Sequence, residues 1–155
     1  MKRFYMIFAV AAMAALTLLS CEKYEDGKPA KSVRSEFAEM YPDARDVEWE
    51  AEAGYWKVSF ETGKAPAVQD HEAWYDVSGN WIRTETDIVA SALPQSVKDA
   101  LAASEYASAV LSGSDIEYVE TPDGIYYEIE VRYGGVEVTL KVTEDGEVSL
   151  AFPTI

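Results

Sequence analysis

Carboxylates two residues apart are the first feature of this 155-residue chain that could do chemistry. Glu48 and Glu50 form one such pair, Glu128 and Glu130 another. Residues i and i+2 of a strand share a face. Two carboxyl groups so placed do acid–base work when a pocket raises the pKa of one; on a flat, solvated face they are only charges. His71, the only histidine, falls in "APAVQDHEA", which reads as a long loop between strands. With no second histidine and a single, distant cysteine, it has no partners for a zinc site. No G-x-S-x-G, G-x-G-x-x-G or phosphate loop occurs, and "LSGSD" at 111–115 reads as a loop after a helix. "DVSGN" and "TEDGE" lack the spacing of an EF-hand. The sequence therefore points away from an enzyme, and it assigns no catalytic residue, metal ligand or cofactor.

The single cysteine, Cys21, suggests chemistry of another kind. Lys2 and Arg3 form a basic head, and Phe4 to Leu19 is apolar except for Thr17. That is the pattern of a secretory signal, too short for the roughly 20 residues of a spanning helix. The following Leu18-Leu19-Ser20-Cys21 resembles the lipobox of bacterial lipoproteins. The resemblance implies that the signal is cut before Cys21 and that its thiol is acylated. A buried free thiol or an intermolecular disulfide is the simpler role for a lone cysteine, but neither accounts for its position. Glu22, Glu25 and Asp26 resemble the acidic export tags of Bacteroidetes-type surface lipoproteins, and read equally as a solvated tether. The expectation is an exported protein, lipid-anchored through Cys21 to the outer membrane, on its periplasmic side or on the cell surface.

Charge narrows the partners. Against 28 Asp and Glu stand 13 Lys and Arg, for a net charge of −15. Nucleic acid requires a basic surface and is excluded as a partner. Anionic lipid would repel the body of the protein, leaving the membrane contact to the lipid anchor alone. Aromatic residues make up 12% of the chain, which argues for a folded core rather than disorder.

The elements that would position these groups occur twice. "SVRSEFAEMY" at 32–41 places Val33, Phe37, Met40 and Tyr41 on one helical stripe, with Ser32 as cap and Pro42 as stop. "QSVKDALAAS" at 95–104, preceded by Pro94, places Val97, Ala100 and Leu101 likewise. Strand candidates follow each helix: "DVEW" at 46–49 answers "DIEY" at 115–118, "YWKVSF" at 55–60 answers "YYEIEV" at 126–131, and "YDVSGNW" at 75–81 answers "VTEDGEV" at 142–148. Trp49, Trp56, Val58, Phe60 and Trp81 alternate onto a buried face, as do Tyr127, Ile129 and Val131, continued by Val136, Val138, Leu140 and Val142. The turns at 76–79, 121–124 and 143–146 read as three-residue hairpin loops closed by a glycine with positive φ, pairing Tyr75 with Trp81 and Val142 with Val148. Gly134-Gly135 reads as a tighter hairpin.

"MYPDARDVEW", "WYDVSGNW" and "ALPQSVKDAL" resemble the β-lactamase-inhibitor-like, PepSY-like family of periplasmic proteins, over most of residues 31–152. The resemblance implies tandem helix–strand repeats. It also implies kinship with inhibitory proteins that bind enzymes on the concave face of a sheet, and with PepSY domains, associated with restraint of peptidases. No catalytic residue comes with it. The expected fold is α+β: two αβββ-type repeats in one antiparallel sheet, helices on one face and the other face open. The expected organisation is a signal peptide (1–20), an acidic flexible tether (21–31), repeat one (32–90) and repeat two (91–155).

The open face should carry Tyr55, Lys57, Trp74, Ile82, Tyr126 and Glu128, with Ile82 opposite Trp74. An exposed Trp-Ile-Tyr group is the centre of a contact patch or else scattered surface. The expected function is therefore a non-enzymatic envelope binding protein with a protein partner, and the resemblance implies inhibition of a secreted or envelope enzyme as one form of it. The alternatives are a small-ligand or glycan-binding module that stacks on Trp74 and Tyr55, and, less favoured, a carboxylate-pair hydrolase.

Overall fold

The computed structural model describes residues 22–24 and 27–151. The signal segment and Cys21 lie outside the described residues. Among the described residues two α-helices, α1 (Lys31–Met40) and α2 (Gln95–Ala103), accompany nine strands. These are β1 (Lys23–Tyr24), β2 (Arg45–Glu52), β3 (Tyr55–Lys64), β4 (Ala67–Asp76), β5 (Trp81–Asp87), β6 (Val110–Thr121), β7 (Gly124–Tyr133), β8 (Val136–Thr143) and β9 (Val148–Leu150). They make one sheet in chain order. All neighbours are antiparallel except β1, which adds to β2 in parallel. Among the described residues no helix is long and apolar enough to cross a membrane.

Helix spacing decides what each helix buries. Val33 and Phe37, four apart, pack into a cluster with Val47, Trp49, Val58, Phe60, Ala73 and Tyr75. Val97 packs with Ile116, Tyr127, Ile129, Val131, Leu140 and Val142. Pro94 is the N-cap of α2, and Ser104 ends that helix by donating its hydroxyl to the Leu101 carbonyl at 2.8 Å. Ser32 does not cap α1. Ala30 holds that position with no side-chain bond, so Ser32 lies within the first turn.

Turn chemistry sets the register. In the hairpin of β4 and β5, Asp76 N donates to Asn80 O at 2.9 Å and Gly79 N to Asp76 O at 3.0 Å. In the hairpin of β8 and β9, Thr143 N donates to Glu147 O at 3.0 Å and Gly146 N to Thr143 O at 3.1 Å. Tyr75 pairs with Trp81 and Val142 with Val148, as the loop length requires. Asp76 accepts from the backbone of Ser78 and Asn80 and from the Asn80 amide, and these bonds hold its carboxyl below the usual range. The turn at 121–124 is shorter than its composition suggests: Thr121 pairs directly with Gly124, leaving a two-residue loop.

Four other expectations need correction. Residues 67–73 belong to strand β4 rather than to a loop, because the β3–β4 ladder runs unbroken from Tyr55–Asp76 to Lys64–Ala67. "LSGSD" falls inside β6, across a register shift against β7. Val136 is 61% exposed, so the buried face of β8 begins further along, with Val138 partly buried against the second cluster and Leu140 fully buried. The segment before α1 is not wholly a free tether: Lys23 and Tyr24 pair with β2, Tyr24 packs on the first cluster, and Glu22 lies 3.7 Å from Arg34.

Candidate functional site

Side chains directly paired across a ladder share a face. Three rows cross the sheet on the face that turns away from the two clusters. Lys57 pairs with Trp74, and Trp74 with Arg83. Ser59, Glu72, Glu85, Val119 and Tyr126 follow in the next row. Asp87, Glu117, Glu128 and Lys141 make the third. Tyr55, Lys57, Trp74, Tyr126 and Glu128 therefore share this face, as the alternation predicts. Ile82 does not sit opposite Trp74. A register shift between Trp74 and Tyr75 makes Ile82 an extra, unpaired residue and gives its place to Arg83.

That one-residue shift changes what Trp74 is. The side chain is 4% exposed, not a surface platform. The Arg83 guanidinium carbon lies 4.3 Å from its ring centroid, and its buried Nε1 has no hydrogen-bond partner. Arg83 also reaches Glu85, with Nη2 3.0 Å from the carboxylate. Lys57 stands among Glu50, Glu52 and Glu72 at 2.9, 3.5 and 3.7 Å. Burial alone would lower its pKa, but the bond to Glu50 and the charges of Glu72, Glu50 and Glu52 hold it above the ordinary lysine value. Tyr126, half-buried, has the Lys141 ammonium 3.9 Å from its ring centroid.

Glu85, Glu117 and Glu128 converge so that one oxygen of each lies within 4.8 Å of the others. Glu85 is 8% exposed. Burial pushes its carboxyl up to about 8, against the pull of Arg83 and with added repulsion from Glu117, Glu128 and Glu72. Burial, then Glu128 and Asp87, pushes Glu117 up to about 7. These three are the described residues whose spacing could hold a cation, and the same spacing lets them share protons. The carboxylate pairs prominent in sequence, Glu48 with Glu50 and Glu128 with Glu130, contribute one member to this cluster. Glu85 and Glu117 come from separate strands, 32 positions apart in the chain, so neither forms an i, i+2 pair with the other.

A groove of about 670 Å³ opens beside the cluster, where β4 continues past the end of β5. Asp46, Glu61, Asp70, Glu72, Glu85, Asp87 and Glu117 line it, with Ile88 and Val89 on its apolar side and, among the described residues, no lysine or arginine. A second groove of about 580 Å³ holds Ile82, Arg83, Ile125, Tyr126 and Lys141. The two grooves meet opposite ends of β5. His71 also lines the first, but not as a solvent-facing loop residue. Its ring stacks on Phe60 at 4.9 Å and meets the hydroxyls of Thr62 and Thr86 at 2.7 and 2.8 Å. Burial lowers its pKa despite Asp70 and Asp87.

Solved structures resemble this chain in fold. A BLIP-like protein of Bacteroides fragilis is 25% identical, with 79% of this chain and 84% of that one aligned at a TM-score of 0.69. A DUF2874 family protein of Bacteroides ovatus is 27% identical over 80% of this chain and 89% of its own, with a TM-score of 0.68. A Bacteroides eggerthii protein, named as a candidate periplasmic protein, is 25% identical over 79% and 86%, with a TM-score of 0.66. No curated protein sequence matches significantly. The family model described as beta-lactamase-inhibitor-like, PepSY-like matches residues 54–149, more than half of the chain. The chain belongs to that beta-lactamase-inhibitor-like, PepSY-like family.

Proposed function

We propose that the chain is a non-enzymatic protein-binding module of the cell envelope, built from two tandem repeats and docking through the sheet face of Lys57, Trp74, Arg83, Tyr126 and Glu128. The observation that carries this reading is the make-up of that face. A buried tryptophan under an arginine lies between a carboxylate groove and an aromatic–cationic groove, on strands that turn their other side to the helices. The register supports helices on one side only. Val58, Ala73 and Thr84 share parity, as do Thr86, Tyr118, Tyr127 and Val142, and the clusters of α1 and α2 draw on these rows. The repeat, 32–90 and 91–155, is supported by the doubled element order and by the matched hairpins at 76–80 and 143–147.

The BLIP-like description of the B. fragilis relative favours inhibition of an enzyme as the form of binding. The periplasmic description of the B. eggerthii relative favours export. Anchoring to the outer membrane, through acylated Cys21, completes the reading; Cys21→Ser should release the protein into the soluble fraction or leave the signal uncleaved. Stacking of a glycan on Trp74 loses its platform, since the ring is covered. Hydrolysis has one observation in its favour, the raised Glu85 and Glu117. Against it, no lysine or arginine among the described residues lines the groove to polarise a substrate, and Ser59 donates its hydroxyl to Glu72 at 3.3 Å.

Cross-linking to envelope extract tests the docking face. Charge reversal at Lys57 with Glu128 should abolish a specific cross-linked product, whereas Asp99→Lys on α2 should leave it intact. Equal loss from both variants would remove the face from the reading.

A further inference from the structure

We propose that the acidic groove at the Asp87 end of the face receives a single cationic side chain, arginine or lysine, presented by the partner protein; this rests on the docking reading above. Three features of the groove fit such a side chain. Glu61, Asp70, Glu72, Glu85, Asp87 and Glu117 bring carboxylates from four strands to one space, and among the described residues no lysine or arginine lines it. The three cations nearest in the ladder, Arg45, Lys57 and Arg83, engage Glu61, Glu72 and Glu85 without entering the lining. Ile88 and Val89 supply an apolar side, with Val89 66% exposed. An arginine or lysine has the matching form, an aliphatic stem that packs on apolar surface and a charged head. A guanidinium also offers several donors in a fixed fork to carboxylates in pairs.

The other end of the same face sets the partner's orientation. Four residues along β5 from Asp87, roughly 14 Å at strand rise, Arg83 lines the second groove with Lys141, Tyr126 and Ile82. The face is thus negative at one end and aromatic–cationic at the other. A partner segment lying along β5 is matched only with its cation over Asp87 and its apolar or acidic part over Tyr126 and Lys141. Charge complementarity of this kind selects the partner and its direction more than it adds affinity.

Binding should be coupled to protons. Glu85 and Glu117 face Glu72 from β4, Arg83 and Asp87 from β5, Glu128 from β7 and, one strand further, Lys141 from β8. Empty, the groove retains protons near neutrality, with Glu85 at about 8 and Glu117 at about 7. An entering cation displaces them, so it binds more tightly as pH rises.

The test is a titration of the protein with acetyl-Gly-Arg-Gly-amide, followed by NMR of the side-chain carboxyl carbons, with the citrulline peptide as the uncharged equivalent. The expected result is saturable movement of the Glu85 and Glu117 signals with the arginine peptide alone, tightening at least tenfold between pH 6 and pH 8.5. The Glu85→Gln/Glu117→Gln double variant should melt no lower than the parent and lose at least tenfold in affinity. Equal response to both peptides overturns the proposal. So does unchanged affinity in the double variant, which would mark diffuse attraction to an acidic chain. Saturation of the same carboxylates by calcium at concentrations where the peptide has no effect would replace it with a metal site. If the peptide fails while charge reversal at Lys57 and Glu128 still abolishes cross-linking, this inference falls and the docking reading stands.

Discussion

The two helix-bearing halves of the sheet solve one packing problem with different chemistry. The cluster under α1 is aromatic. Phe37 touches Trp49, Phe60 and Tyr75 with ring centroids at 5.4, 5.0 and 6.5 Å, each edge to face. The cluster under α2 is built from Val97, Ile116, Ile129, Val131, Leu140 and Val142, with Tyr127 and Tyr118 its paired rings. Between them, on β5, the core positions are the buried threonines Thr84 and Thr86. The Thr84 hydroxyl meets Tyr41 at 2.5 Å and receives the Trp81 indole at 2.8 Å, while Thr86 meets His71. An aromatic hub concentrates contacts on one side chain, whereas an aliphatic cluster spreads them over many. The polar seam between the two clusters is satisfied by hydrogen bonds drawn mainly from the first half.

The comparison breaks first at the hubs. Phe37→Ala should cost about 3–5 kcal/mol. Leu101→Ala, at the matching position of α2 but only half-buried, should cost about 2 kcal/mol or less. Urea denaturation of both variants measures the difference, and equal losses would mean that the first half has no hub. Trp74→Ala should rank with Phe37→Ala, at about 3 kcal/mol or more, because the ring is buried under Arg83.

Next comes pH. The folded state holds Glu85 and Glu117 at about 8 and about 7, above their ordinary value of 4.5. Each therefore favours the native state in its protonated form, and its contribution is lost as pH rises through the raised pKa. His71 acts oppositely: its depressed pKa removes stability as pH falls below its ordinary value of 6.5. Between pH 6.5 and 8.5 the carboxyls dominate, and the melting temperature should fall by several degrees. Glu85→Gln should flatten that slope and raise the melting temperature at pH 8. A parent profile that rises with pH over this window would overturn the assignment.

The matched hairpins separate the halves more finely. Gly79 has φ +100°, and a Cβ there would lie 3.3 Å from the Val33 backbone nitrogen at the start of α1. Gly146 has φ +91°, and a Cβ there would meet only the Ala100 side chain, at 3.6 Å. Alanine should cost about 1 kcal/mol at either site from backbone strain, and more at Gly79, where backbone must yield. The smallest effect belongs to Arg132→Ala, which removes the exposed 3.0 Å pair with Glu137 and should change stability by less than about 0.5 kcal/mol.

Much of the fold was legible because its signals are local. Alternation assigned Trp49, Val58, Ile129 and Leu140 to the core, and the Asp76–Asn80 and Thr143–Glu147 loops fixed their own registers through backbone bonds spanning five residues. His71 was misplaced because "APAVQDHE" has no apolar alternation. From Ala67 on these residues form a strand through the β3 ladder, and His71 is held by partners on β3 and β5 that lie 9 and 15 positions away. The candidate face divides the same way. Parity placed Tyr55, Lys57, Trp74, Tyr126 and Glu128 on one side, because it depends only on counting by two along a strand. Whether Trp74 is covered depends on a bulge that substitutes Arg83 for Ile82, and a shift of one residue leaves no mark in composition. The Glu85–Glu117–Glu128 cluster was invisible for a related reason. Its members belong to three strands, and β5 and β6 are joined through α2 rather than by a hairpin. Local sequence thus determined the hairpins, the helices and the parity of the strands. The pairing of β5 with β6 decided which carboxylates meet, since that contact is held by long-range packing and not by any turn.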